Sequence, residues 1–142
     1  MLSSLDKILI IGLGQLGLPV AKYLKERGFN TYGYDIKSDA LDYAKRKYQI
    51  KQTADFGSED FQVFIVSVST NQANDISSPE IDGLLSVAEK ISKEAKSVGA
   101  LVTIESTVPK GTSKKVFEIL NHRLHVVHVP HRWYGLEERN ME

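Results

Sequence analysis

The 142-residue sequence contains no cysteine. That excludes a disulfide framework, a thiolate metal site and a cysteine nucleophile on this chain. Net charge is missing as well, since 18 Lys and Arg balance 18 Asp and Glu. The composition therefore makes no electrostatic case for nucleic acid or a membrane surface. The longest apolar runs are far too short to span a bilayer. Met1 to Lys7 lacks the basic-then-apolar layout of a signal peptide. There is no internal repeat and no low-complexity stretch. One soluble domain is expected, cytoplasmic by default and long enough to bury a core without staples.

What the sequence does have is an alternation of short apolar runs and longer helical patterns. Ile8-Leu9-Ile10-Ile11 is apolar on both faces, as a buried parallel strand should be. A helical pattern follows, with Leu16, Val20 and Leu24 four apart and Gly28 as its stop. Thr31 to Asp35 reads as a second strand, Ser38 to Lys47 as a polar helix, and Gln49 to Thr53 as a short third strand. Val63 to Val68 reads as a fourth strand. Ser77 and Glu80 are spaced as a capping box for the next helix, with Pro79 in its first turn. In that helix Leu84, Ala88, Ile91 and Ala95 share a face. Ala100 to Glu105 reads as a fifth strand and His125 to Val129 as a sixth. Between them Thr112 is placed to cap a helix carrying Val116, Phe117 and Leu120 on one side. The fold class predicted is α/β: a Rossmann-type, doubly wound, mainly parallel six-stranded sheet with helices on both faces. The domain is expected over residues 1–135, with 136–142 a charged tail or the start of a further connection.

Between the first strand and its helix lies Gly12-Leu13-Gly14-Gln15-Leu16-Gly17. A lone G-x-G-x-x-G is weak evidence. Here a buried strand precedes it, an amphipathic helix follows, and Asp35 lies 23 residues after Gly12. Gly12 permits a tight turn, Gly14 lets the backbone approach a pyrophosphate, and Gly17 lets the helix pack near the strand. Gln15 and Leu16 open the helix, whose N-terminal N–H groups attract phosphate. Asp35 can accept hydrogen bonds from adenosine ribose hydroxyls and would repel a 2′-phosphate. NAD is therefore expected over NADP, with Lys37 close enough to soften the preference. The competing reading makes the glycines a plain turn and Asp35 a solvated strand end. Pro19 falls just past the free N–H groups of the first turn and is expected to cost one helix bond or shift the helix start.

Gly12-Leu13-Gly14-Gln15-Leu16-Gly17-Leu18-Pro19 resembles the opening of the UDP-glucose/GDP-mannose dehydrogenase family. Val66-Ser67-Val68-Ser69-Thr70 is similar to the end of that family's fourth strand, V-P-T-P or V-S-T-P. Glu105-Ser106-Thr107-Val108-Pro109-Lys110-Gly111-Thr112 is similar to its E-S-T-V-P-P-G-T segment, which is far more selective than the glycine loop. Val129-Pro130-His131-Arg132-Trp133-Tyr134-Gly135 resembles its S-P-E-R segment. The resemblance implies oxidation of a nucleotide-sugar C6 alcohol to a carboxylate with two NAD⁺. It also implies a later domain that supplies the substrate site and a catalytic cysteine. On the matching positions it implies Gly12, Gly14 and Gly17 at the pyrophosphate and Asp35 at the ribose. Val68, Ser69 and Thr70, with Glu105, Ser106 and Thr107, would line the nicotinamide half. Thr107 would position a water or the substrate oxygen. Without the family match, a turn hydroxyl bonded to local backbone is the better reading of Thr107.

The sequence departs from the family in two respects. His131 stands where P-E-R carries a glutamate with an acid/base or water-orienting role. An imidazole titrates near neutrality and can move protons; the change also fits altered or lost chemistry. The second departure is the remainder of the enzyme, since neither the cysteine nor a second domain is here. Such a chain is expected to be either an excised cofactor domain or a naturally short relative. The alternative function is a stand-alone NAD-binding regulatory or inactive module. A hydroxyacid-type dehydrogenase would share the glycine loop but not E-S-T-V-P-x-G-T. Family dimers form mainly through a helix beyond this region, so both a monomer and a homodimer stay open. His122, His125, His128 and His131 are each three apart. Strand positions three apart point to opposite faces, which argues against convergence on a metal.

Overall fold

The computed structural model describes residues 6–70 and 79–130. Ten elements alternate along them: β1 (Lys7–Ile11), α1 (Gly17–Glu26), β2 (Asn30–Tyr34), α2 (Ser38–Tyr48), β3 (Lys51–Gln52), β4 (Phe61–Val66), α3 (Asp82–Glu94), β5 (Leu101–Ile104), α4 (Thr112–Ile119) and β6 (His125–His128). The strands form one sheet in the order β3-β2-β1-β4-β5-β6. Every pairing is parallel. This is the doubly wound Rossmann arrangement, whose winding reverses between β1 and β4.

Alternation along the central strands builds a core on each face of the sheet. Ile8 and Ile10 of β1, with Val63 and Ile65 of β4, pack under α1 and α2. Leu9 and Ile11, with Phe64 and Val66, pack under α3 and α4 together with Val102 and Ile104 of β5. The β3–β4 connection has no helix. Phe56 from that loop is fully buried and meets the Tyr34 ring edge-on at 5.1 Å. It occupies the space over the sheet that a crossover helix would otherwise cover.

Five expectations are corrected. In α1 the buried line is Gly17, Leu18 and Ala21, flanked by half-buried Val20 and Leu24. Small residues face the sheet there because the helix starts against it. α3 begins at Asp82 with Ile81 at its N-cap and no side-chain cap, so Pro79 lies outside the helix. Ser77, the other half of the expected capping box, lies outside the described residues. Thr112 is inside α4 rather than capping it: Gly111 holds the N-cap with φ 91°, and the Thr112 hydroxyl donates to the Pro109 carbonyl at 2.8 Å. β3 is shorter than Gln49–Thr53 because Gln49, at φ 53°, is the left-handed C-cap of α2. Val116 of α4 and Leu120 at its C-cap are buried, whereas Phe117, expected on the same side, is exposed and stacked on His122 at 4.5 Å. Pro19 sits in the first turn of α1. Leu18 N–H and Val20 N–H still reach the Gly14 and Leu16 carbonyls, and the intervening Gln15 carbonyl has no N–H to receive from Pro19.

Candidate functional site

The strand ends that carry the predicted residues converge on one rim of the sheet. β1 runs into Gly12, β2 into Asp35, β4 into Ser67 to Thr70, and β5 into Glu105 to Thr107. Ladder bonding continues past the strands, with Ser67 N–H on the Ile11 carbonyl at 2.8 Å and Glu105 N–H on the Val66 carbonyl at 2.9 Å. The carboxyl ends on either side of the winding reversal are where open α/β sheets bind ligands.

The three glycines of the loop have three different reasons to be glycine. Gly12 has φ 96°, and a Cβ on it would lie 2.5 Å from the Ser67 carbonyl oxygen. Gly17 passes so close that a Cβ would lie 1.6 Å from the Gly12 carbonyl oxygen. Turn and helix therefore cross with no room for a side chain. Gly14 is different, because a Cβ on it would meet nothing within 4 Å. It is exposed, as is Gln15, in the turn ahead of α1, where Leu18 N–H is already bonded to the Gly14 carbonyl and Pro19 has no N–H. Neither packing nor backbone strain demands glycine at position 14. The open space in front of it is what a closely approaching pyrophosphate requires.

Asp35 does more than wait for a ribose. Its Oδ2 accepts from Leu13 N–H at 2.7 Å and its Oδ1 from Lys37 N–H at 2.8 Å. The carboxylate thus ties the glycine loop to the end of β2. A carboxylate has about four acceptor positions, so capacity remains for ribose hydroxyls. This second role of Asp35 was not visible in the sequence.

The loops after β4 and β5 are tied together. Thr70 Oγ1 donates to the Thr107 carbonyl at 2.8 Å, and Ser106 Oγ donates to the Val68 carbonyl at 2.6 Å. His128 Nε2–H in turn donates to the Ser106 carbonyl at 3.1 Å. The Thr70 and Ser106 hydroxyls are thereby engaged in joining backbone. Ser69 and Thr107 are exposed at the mouth of the crevice, Val68 is half-buried, and Glu105 is buried with the Thr103 hydroxyl donating to it at 3.0 Å. His131 lies outside the described residues. Among the described residues no group of three or more His, Asp and Glu side chains could hold a metal.

The glycine loop, helix start, acid and twin loops together define the dinucleotide-binding domain of a dehydrogenase. A sequence profile described as the UDP-glucose/GDP-mannose dehydrogenase family, NAD binding domain, matches residues 41–133, more than half of the chain. The chain belongs to this family, as its NAD-binding domain. A UDP-N-acetyl-D-mannosamine dehydrogenase of Methanococcus maripaludis is 31% identical over 148 residues, covering 90% of this chain and 34% of the relative. One from Pyrococcus horikoshii is 29% identical, covering 89% and 36%. The chain thus spans about a third of the length of these relatives. A UDP-N-acetyl-mannosamine dehydrogenase from Staphylococcus aureus has the same fold with TM-score 0.76 at 24% identity, over 94% of this chain and 38% of that one. A Salmonella typhimurium 3-hydroxyisobutyrate dehydrogenase also shares the fold, at TM-score 0.74 and 17% identity, over 96% and 46%. Fold alone therefore does not separate nucleotide-sugar from hydroxyacid enzymes; the family match does. No helix of the described residues is long and apolar enough to cross a membrane.

Proposed function

We propose that this chain, over residues 1–135, is the cofactor half of a nucleotide-sugar 6-dehydrogenase. Its substrate is a UDP-linked N-acetylated sugar of the mannosamine type, and the substrate domain lies in the remaining sequence of the complete enzyme. The observation that carries this reading is the joining of the β4 and β5 loops beside a glycine loop that opens only at Gly14. The shared substrate of the curated relatives supports the sugar class.

When bound, NAD supplies the hydride acceptor. The chain's own residues bind and orient it. The N–H groups of Gln15 and Leu16, just ahead of α1, would bind the pyrophosphate, with Gly12, Gly14 and Gly17 shaping the cradle. Asp35 accepts from the adenosine ribose while holding Leu13. Val68, Ser69, Thr70, Glu105, Ser106 and Thr107 wall the nicotinamide side. Thr107, exposed at the mouth, orients a water or the substrate oxygen, and a role in proton transfer is assigned to His131. Oxidation to the acid also requires a covalent nucleophile, which must come from the missing half.

The test is calorimetric. NAD binds the 142-residue chain more tightly than NADP, and Asp35→Ala narrows the gap between them. Equal wild-type affinities, or no binding, would refute the reading. The chain alone generates no NADH from a UDP-sugar, and steady production would overturn the division of labour. A stand-alone regulatory module predicts the same binding. A substrate domain encoded in frame after Glu142 separates the two.

A further inference from the structure

Among the described residues, the Ser67 hydroxyl is the one buried side-chain polar atom with no hydrogen-bond partner. Ser67 is 9% exposed. An unpaired buried hydroxyl is unfavourable, so its presence just past the end of β4 needs a cause.

Its location suggests one. Ser67 continues β4 two residues past Ile65 and so shares the face that α1 covers. Its Cβ lies 3.3 Å from the position a Cβ on Gly17 would take, and its carbonyl lies against Gly12. The hydroxyl group is therefore at the crossing of the glycine loop and the start of α1. Just ahead of that start Gln15 and Leu16 carry backbone N–H groups, whereas Leu18 N–H is taken by the Gly14 carbonyl and Pro19 has none. The segment from Gly12 to Leu18 contains no charged residue. Neutral donors must then do the work of binding phosphate, and one more neutral donor is stored beneath them.

We propose that Ser67 is a cofactor-binding residue whose hydroxyl turns about χ1 and donates to an oxygen of the dinucleotide's pyrophosphate. This rests on the NAD reading above and adds a contact to it. The hydroxyl is unsatisfied while the crevice is empty and becomes satisfied on loading. Removing it should have effects of opposite sign on folding and on binding. A serine that merely fills space would show neither.

The experiment compares wild type, Ser67→Ala and Ser67→Cys, the last keeping the side-chain volume with a much weaker donor. Thermal midpoints are measured without nucleotide, and affinities for NAD, ADP and adenosine by calorimetry. The expected result is a midpoint at or above wild type in both variants. NAD and ADP binding should weaken about tenfold, the scale of one hydrogen bond to a charged group. Adenosine binding should be unchanged. Wild-type affinity for ADP in both variants overturns the proposal, as does equal weakening of adenosine. A lowered midpoint in Ser67→Cys also overturns it, because the hydroxyl is then structural. Failure of the wild-type chain to bind NAD would overturn the underlying reading, a distinct outcome from variants that bind as well as wild type.

Discussion

Replacing Gly17 and Gly14 separately by alanine tests the two halves of the glycine-loop argument. At Gly17 the added Cβ would sit 1.6 Å from the Gly12 carbonyl oxygen and 2.8 Å from its carbon. Reaching even 3.0 Å requires a displacement of about 1.4 Å, and the obstructing atoms are backbone. Overpacking of a tight interior typically costs about 1–3 kcal/mol. A backbone obstruction belongs at the upper end of that range, about 3 kcal/mol. The preference of a helix for alanine over glycine offsets about 1 kcal/mol. The net expectation for Gly17→Ala is a destabilisation of about 2 kcal/mol, with loss of NAD binding as the loop moves off α1. At Gly14 the Cβ meets nothing, so Gly14→Ala should stay within about 0.5 kcal/mol of wild type. It should nevertheless weaken NAD at least tenfold by filling the approach to the pyrophosphate. Urea unfolding of the free chain and calorimetric titration with NAD measure the two quantities. A Gly17→Ala protein with wild-type stability would refute the packing argument. A Gly14→Ala protein with wild-type affinity would refute the placement of the pyrophosphate.

Two further predictions concern the fold. Lys7 bonds Glu59 at 2.5 Å, and Tyr32 donates to the same carboxylate at 3.4 Å. The Lys7 hydrogen bond holds the Glu59 pKa below its usual 4.5, and the same bond raises Lys7 above 10.5. Glu59 thus adds stability that is present above pH 4.5 and lost as pH falls through its lower folded value. Lys7 adds stability that is present below pH 10.5 and lost as pH rises through its higher folded value. Glu59→Gln should flatten both limbs of the midpoint-against-pH curve, and an unaltered curve would discount the pair. Phe56→Ala should cost about 3–5 kcal/mol, because the ring is fully enclosed between Tyr34 and the α3 side of the sheet. Denaturant unfolding would expose the error if the loss were under 1 kcal/mol.

The central strands were legible because parallel strands buried on both faces are written as apolar runs, and Ile8–Ile11 of β1 and Val63–Val66 of β4 are such runs. The glycine loop was legible because its three glycines answer to two backbone collisions and one open approach. Phe56 escaped notice because periodicity says nothing about a single aromatic inside a polar loop. The tie between Asp35 and Leu13 N–H joins residues 22 positions apart and depends on where β2 ends relative to β1, which no local pattern encodes. The start of α3 was misjudged because Pro79 and Glu80 carry helix-opening chemistry, yet Glu80 N–H bonds the Thr70 carbonyl at 2.9 Å instead. Thr70 is thus held on both sides, by that bond and by its own hydroxyl on Thr107, which explains why a residue read as a cofactor contact is buried.

The membership of β1 in both cores has a kinetic meaning. Leu9 and Ile11 belong to one apolar cluster, Ile8 and Ile10 to the other, and the strand is flanked by β2 and β4. Neither cluster can dissolve while β1 keeps its place, and β1 cannot leave without opening both. Its amide hydrogens should therefore exchange with solvent only through global unfolding, and loading or emptying the crevice should alter their exchange no more than it alters the stability of the whole domain.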